Sequence, residues 1–175
     1  MAETTTLTVL RGCTLTLSDG TSPAAKSYSV ILTEGSVTFT NGAHDIVRAR
    51  DTDGDFLGVA RQGAQSGPST ITFTAMMFGA GDDATDIALT DIVNNAGLFA
   101  DGTWVSTSAD SEFVTVDALF TIPALAVKDG ATYAWNDCVV QPGSSIEATR
   151  DGFRLSLTLE SPDAYPTITT VAPTP

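Results

Sequence analysis

The chain has 175 residues, and its 21 acidic residues exceed its 8 basic ones, which gives a formal net charge of −13. A chain of this length suits one domain that buries roughly 70% of its unfolded surface, so a core needs neither disulfides nor a metal. Because phosphates are bound through basic side chains, so acidic a chain is not expected to bind nucleic acid or an anionic membrane surface.

The N-terminus and the cysteines bear on the compartment. The segment from Met1 to Thr6 lacks the positive start and the apolar stretch of a signal peptide, so we expect a chain made and kept in a cytoplasm. Two cysteines, Cys13 and Cys138, are too few for a disulfide framework. We expect them to be buried reduced thiols, although a single pairing between them stays open.

Apolar residues alternate with Thr or Ser through much of the chain, which predicts half-buried antiparallel strands. The predicted strands cover residues 6–10, 13–17, 28–32, 36–40, 70–78, 112–121, 132–140, 146–150 and 153–159. Turns are predicted at Glu34-Gly35 and at Asp151-Gly152, where a type I′ turn would join the last two strands. The predicted fold class is mainly β, an antiparallel β-sandwich or barrel.

One short helix is predicted over residues 85–95. Thr85 can cap its N-terminus, apolar residues follow at helical spacing, and Gly97 can end it. Its expected role is to pack on one face or open edge of the sandwich.

Residues 41–69 form a charged segment far longer than the usual connection of about 4 to 6 residues. We predict a protruding hairpin with limbs at 44–50 and 56–61 and a tip at 51–55, suited to pairing with a second surface. A solvated loop is the alternative. The candidate contact residues are Arg48, Arg50, Asp51, Asp53, Asp55, Phe56 and Arg61.

The C-terminal end is predicted to be extended. Pro162 and Pro166 cannot continue a central strand, so residues 1–161 are predicted to form the domain and residues 162–175 an extended arm. The arm either lies on a neighbouring molecule, with Tyr165, Pro166 and Ile168 as contacts, or is a free tail.

Residues for catalysis are sparse. His44 is the single histidine, no nucleophile elbow or phosphate-binding loop occurs, and no zinc motif is present. The sequence Asp51-Thr-Asp-Gly-Asp55 places carboxylates at alternate positions, but it departs from the EF-hand pattern, so a polar turn is favoured over a weak cation site. We therefore expect no enzymatic activity, no cofactor and no metal site.

Five aromatic residues fall in or near the second half of the predicted sheet. They could form a platform on which a sugar stacks, but aromatic residues in strands are more often part of a core, and we favour that interpretation. The five are Trp104, Phe113, Phe120, Trp135 and Phe153.

The order of these features, with three segments in particular, resembles the tail tube (major tail) proteins of long-tailed bacteriophages. The segments are Leu89-Thr-Asp-Ile-Val-Asn-Asn-Ala-Gly97, Val114-Thr-Val-Asp-Ala-Leu-Phe-Thr-Ile122 and Gly152-Phe-Arg-Leu-Ser-Leu-Thr-Leu-Glu160. The resemblance covers most of the chain, from about residue 7 to residue 167, and rests on feature order rather than on invariant residues. Tube proteins of contractile injection machines share this fold.

The resemblance implies a structural virion protein. Its copies would join edge to edge into a hexameric ring, and rings would stack into a hollow tail tube, with the loop at 41–69 contacting the next ring. Implied partners are further copies of the chain, the tape measure, tail tip and terminator proteins, and DNA in transit, with assembly in the host cytoplasm and no membrane. Acidic residues lining the channel would repel DNA phosphates. A virion decoration protein and a carbohydrate-binding module are the alternatives.

Overall fold

The structure is a computed structural model, and it describes residues 12–43, 46–50, 52–53, 56–61, 67–77, 89–94, 102, 104–109, 113–125, 129–149 and 152–173. Within these residues the chain forms eleven strands and one helix. They are β1 (Thr14–Ser18), β2 (Ser27–Val30), β3 (Leu32–Thr40), β4 (Ile46–Arg50), β5 (Phe56–Arg61), β6 (Ser69–Met77), α1 (Leu89–Asn94), β7 (Thr115–Ile122), β8 (Gly130–Val140), β9 (Ser145–Thr149), β10 (Gly152–Ser161) and β11 (Thr167–Val171).

Nine strands form one antiparallel sheet in the order β2-β1-β7-β8-β10-β6-β3, and β9 and β11 are added beside β10 and β8. The long strand β8 pairs with β7 along one edge, and its other edge is shared between β11 and the end of β10. The sheet folds back on itself, because the ring of Phe39 in β3 contacts Phe120 of β7 edge to face and Trp135 of β8 at a tilt, with ring-centroid distances of 5.1 and 5.0 Å. The predicted mainly β fold, a sandwich nearly closed into a barrel, is confirmed.

The core is formed mainly by apolar side chains of β1, β6, β7, β8 and β10. Alternation produces it directly, since Leu155, Leu157 and Leu159 of β10 are buried while the residues between them are half-buried. Helix α1 adds Leu89 and Ile92, so the predicted helix packs as expected. Its predicted cap at Thr85 and its predicted end at Gly97 lie outside the described residues.

Two predicted turns differ from the structure. Strand β3 runs through Glu34-Gly35, and the register shift between Leu32 and Val37 absorbs these residues as a bulge in its pairing with β6. The chain changes strand earlier, at residue 31: before it, β2 pairs with β1, and after it, β3 pairs with β6. A polar residue followed by glycine is typical of a bulge as well as of a turn. For this reason the local pattern predicted a turn where the structure has a bulge.

The last hairpin is confirmed, but Gly152 is not part of its turn as predicted. Thr149 of β9 pairs with Gly152 of β10, and residues 150 and 151 lie outside the described residues. Gly152 is the first residue of β10 and has φ 130°, a value that favours glycine.

Candidate assembly surfaces

The charged segment forms the predicted hairpin. Strands β4 and β5 pair with each other in a separate two-stranded sheet, and within the described residues they pair with no strand of the main sheet. The limbs match the prediction for residues 44–50 and 56–61 closely, although His44 itself lies outside the described residues. The hairpin is therefore an addition to the sandwich and not part of its wall.

The candidate contact residues are spread along this hairpin. Arg50 and Phe56 are paired in register at the tip, Arg48 is opposite Val59, and Arg61 is opposite Ile46 at the other end. The remaining candidates belong to the tip. Of these, Asp53 is exposed, as is Arg50 beside the tip, and Asp51 and Asp55 lie outside the described residues. Hence the register separates the three arginines along the hairpin, and their contact with a second surface stays a prediction.

The hairpin begins and ends at a close approach of two backbone segments, residues 41–43 and 67–69, which we call the root. The N–H of Gly67 donates to the carbonyl oxygen of Ala43 at 2.9 Å. A Cβ atom at Gly42 would lie 1.8 Å from the carbonyl oxygen of Gly67, so only glycine fits there. The root thus depends on backbone contact rather than on side-chain packing.

The root is bonded to residues 161–166, which we call the corner. The N–H of Gly42 donates to the carbonyl oxygen of Ala164 at 2.8 Å. Ser69 donates to the carbonyl oxygen of Asp163 twice, from its N–H at 3.1 Å and from its hydroxyl at 2.6 Å. These bonds connect the base of the charged hairpin to the segment that leads into β11.

The corner is in turn fixed to β8 by one buried side chain. The hydroxyl of Ser161 donates to the carbonyl oxygen of Asn136 at 2.9 Å and accepts from the N–H of Asp163 at 3.2 Å. Ser161 has no exposed surface. Because a buried hydroxyl costs free energy unless its bonds are made, both partners define where the corner lies.

After the corner the chain is extended, as predicted, and forms β11 on its own β8. All five residues of β11 are exposed, Ile168 to 60%, and Tyr165 in the corner is 51% exposed while Pro166 is half-buried. The division of the chain at residue 161 and the contact of Tyr165, Pro166 and Ile168 with a neighbour stay predictions.

Two polar sites that the sequence did not reveal tie loops to the sheet. Asp19 is buried, and its carboxylate accepts four hydrogen bonds, from the N–H and hydroxyl of Thr21 and from the N–H groups of Lys26 and Val105. Burial acts to raise the pKa of Asp19, but these hydrogen bonds outweigh it, and the pKa lies below its ordinary value. The carboxylate therefore joins the β1–β2 connection to the segment at 104–107.

The second polar site lies at a bulge in β8. Asp137 has φ 51°; its N–H donates to Asp117 at 3.0 Å, and its carboxylate accepts from the hydroxyl of Thr107 at 2.7 Å. Burial first, and the nearby Asp137 charge second, raise the pKa of Asp117. Burial also raises the pKa of the adjacent Cys138 thiol to about 12, so this cysteine is an inert part of the core.

Cys13 and Cys138 are both free thiols. Cys138 is buried as predicted, whereas Cys13 is only half-buried.

The five aromatic residues fall into a buried and an exposed group. Trp104, Phe120 and Trp135 are buried as predicted, but Phe113 and Phe153 are 66% and 49% exposed, so the prediction that all five belong to the core is wrong for these two. Phe153 lies near the start of β10, where it is paired in register with Ala148 of β9 and Met77 of β6.

In the part of the chain that the structure describes, no three His, Cys, Asp or Glu residues are grouped so as to hold a metal ion. None of the described helices has the length and apolar character needed to span a membrane.

Comparison with known proteins places this fold. No protein-family model matches the sequence. No curated protein matches it either. Solved structures do share the fold. A chain of the PVC sheath/tube terminator of an extracellular contractile injection system is similar with a TM-score of 0.52 and 17% identity, over 90% of this chain and 93% of that one.

Two further structures match over the same share of this chain. A chain of the PVC sheath-tube complex has a TM-score of 0.51 and 16% identity, and a chain of the anti-feeding prophage cap, which terminates a tube, has a TM-score of 0.53 and 14% identity. Each match covers 90% of this chain and 88% of the other. The chain thus has the fold of subunits found in tube, terminator and cap assemblies.

Proposed function

We propose that the chain is a structural subunit of a tail-like particle, without catalytic activity, whose copies assemble into hexameric rings that stack into a hollow tube. The observation that carries the proposal is the fold, which 90% of the chain shares with subunits of a sheath-tube complex, a sheath/tube terminator and a tube-terminating cap. Those names describe the similar structures, and the proposal extends their role to this chain.

The shape of the molecule supports self-assembly. Open strand edges are templates for pairing with further chains, and contacts between two different surfaces of identical subunits form closed rings or open filaments. The hairpin of β4 and β5 stands apart from the sheet, and we propose that its residues Arg48, Arg50, Asp51, Asp53, Asp55, Phe56 and Arg61 contact the next ring. The arm would reinforce these contacts through Tyr165, Pro166 and Ile168.

In this function the tube conducts DNA without binding it. We propose a net negative channel wall, in keeping with the charge of −13, because carboxylates repel phosphates, whereas basic side chains would neutralise and bind them. Tape measure, tail tip and terminator proteins would be the other partners, and assembly would take place in the host cytoplasm. An assembled channel lined by clustered arginines would contradict the charge proposal.

Electron microscopy of the purified chain over a concentration series, at low and at high salt, tests the assembly. We expect annular particles with six subunits and tubes of uniform bore. A chain that stays monomeric at every concentration would contradict the proposal and favour a decoration protein or a sugar-binding module. Sedimentation velocity on the same samples distinguishes a true monomer from rings lost on the grid.

A further inference from the structure

Among the described residues, four strands of the main sheet have a neighbour on one side alone: β2, β3, β9 and β11. Natural proteins protect such edges with charges, bulges, prolines or very short strands. Strand β3 has a bulge, β9 has Glu147, and β2 is only four residues long. Three of the four edges therefore carry a recognised protective feature.

The strand β11 carries none within its five residues. Its sequence Thr-Ile-Thr-Thr-Val is uncharged, every residue is β-branched, and each one pairs with β8 without a register shift. Such a strand has high β-propensity and an open row of backbone donors and acceptors. We propose that β11 is an assembly edge, completed by the N-terminal segment of a second copy of this chain.

The burial of one row of residues across the sheet supports an additional strand here. Leu15 of β1, Phe120 of β7, Tyr133 of β8 and Ile168 of β11 are paired in register and share the core side of the sheet. Their exposure rises from 0% at Leu15 and 3% at Phe120 to 60% at Ile168. A further strand beside β11 would extend this apolar row and cover Ile168, as cross-strand neighbours do.

The sequence predicts a matching strand at residues 6–10, outside the described residues, where Leu7 and Val9 alternate with threonine. Residues 4–10 lie between Glu3 and Arg11 and contain no charge. The five residues of the predicted strand are enough to pair with all five of β11. Residues 1–11 are outside the described residues, and the description begins at Gly12.

The point where this segment joins the sheet favours a donor from another molecule. A Cβ atom at Gly12 would lie 3.6 Å from Cγ of Pro123, next to the end of β7. Measured along the sheet, a strand beyond β11 lies four strand spacings from β1, or roughly 19 Å, because β7, β8 and β11 come between. The two residues from Gly12 to Leu10 span about 7 Å at most. We therefore assign the donor strand to a second molecule.

Since the donor and the acceptor are different surfaces, the contact is heterologous and closes a ring or continues as a filament. The inference rests on the proposed function and deepens it by naming two segments that meet between copies. It requires residues 4–10 of one molecule and β11 of the next.

Two full-length variants test the inference. Ile168→Lys places an inward-facing charge on β11, which blocks strand addition, and Val9→Pro prevents the N-terminal segment from pairing. The matched control is Ile146→Lys on β9, where isoleucine shares a register position with Leu155 and is 58% exposed. Because Ile168 is 60% exposed in the single chain, circular dichroism and thermal melting should match the wild type.

Sedimentation velocity and native mass spectrometry give the readout. We expect the wild type and Ile146→Lys to assemble and each of the other two variants to stay monomeric. An equimolar mixture of Ile168→Lys and Val9→Pro should give heterodimers and nothing larger, because that pair retains one intact donor and one intact acceptor. The amides of β11 that point away from β8 should be protected from hydrogen exchange in the wild-type assembly and should exchange in the variants.

Each result that differs from these expectations overturns one part of the inference or of the proposed function. Assembly of Ile168→Lys as in the wild type overturns the role of β11, and assembly of Val9→Pro overturns the N-terminal donor, while the proposed function stands in both cases. A mixture that yields no heterodimer overturns the pairing of the two segments. A wild-type chain that never assembles overturns the proposed function together with this inference.

Discussion

In the interior of the sandwich, buried side chains from β1, β6, β7, β8 and β10 pack against each other, and α1 adds two more. At the side of the sandwich, backbone hydrogen bonds and the hydroxyl of Ser69 join the root to the corner, and the hydroxyl of Ser161 joins the corner to β8. The stability from apolar packing depends on the total buried area and not on any single contact. The root and the corner instead depend on individual hydrogen-bond donors and on the absence of a Cβ atom at Gly42. The first region sets the stability of the fold, and the second sets where the hairpin and β11 lie.

The largest effect is expected from removing a buried ring from the interior. Phe73 has no exposed surface and is paired in register with Leu157 of β10 and Val37 of β3. We expect Phe73→Ala to lower the free energy of unfolding by about 3–5 kcal/mol, because it leaves a cavity. The same substitution at Phe153, which is 49% exposed, should cost about 1 kcal/mol or less. Chemical denaturation measures both, and equal losses would contradict the distinction.

An intermediate effect is expected at Asp19, which belongs to neither region. Asp19→Asn removes an acceptor from a site with four hydrogen-bond donors, so we expect a loss of about 2 kcal/mol at neutral pH. Folding lowers the pKa of Asp19, so its contribution is complete above the unfolded pKa of about 3.9 and is lost as the pH falls through the folded pKa. The difference between variant and wild type should therefore shrink in acid.

Asp117→Asn is the control for that pH dependence. Folding raises the pKa of Asp117, so its protonated form is favoured in the folded state and its ionisation opposes folding as the pH rises. Its replacement should cost little at neutral pH, and its difference from the wild type should move in the direction opposite to that of Asp19→Asn. Denaturation curves from neutral pH to about pH 3 would contradict this if the two variants behaved alike.

The smallest global effect, with a sharp local one, is expected at the root. Gly42→Ala places a Cβ atom against the backbone of Gly67, so the root must open and the bond from residue 42 to Ala164 is lost. We expect the amide of Ser69 to exchange at least about tenfold faster, while the unfolding midpoint changes little, since local opening leaves the core intact. Gly67→Ala is the control, because its Cβ atom would meet Ala43 at 3.3 Å and fits after a small shift. Cooperative loss of the whole fold would contradict the separation of the two regions.

The fold was largely predictable because its signals are local. Alternation along residues 13–17 and 153–159 predicted β1 and β10, and the polar tip of the charged segment predicted the β4–β5 hairpin. The exact positions of the turns were not predictable, because Glu34-Gly35 has the same composition whether it forms a turn or a bulge. The exposure of Phe153 depends on which strands end beside it, and a single sequence does not carry that information.

The candidate surface was predictable only in part. The hairpin and the extended arm follow from composition, but the bonds between them connect Gly42 to Ala164 and Ser69 to Asp163, through backbone atoms that every residue has. No side-chain pattern encodes such a contact. Asp19 lies between two predicted strands, and Thr21, a short polar residue two positions on, is the one signal in the sequence that points to a carboxylate with local partners.

The bond from Ser161 to Asn136 has a mechanical consequence. A pull on the tip of the hairpin passes from the root to the corner and then to the middle of β8, through the carbonyl oxygens of Asp163, Ala164 and Asn136. The load therefore enters a central strand through the carbonyl oxygen of one residue, Asn136, and bypasses the apolar interior. If neighbouring rings hold the hairpin under tension, the sheet would bear that force through many backbone bonds at once rather than through side chains that can slide.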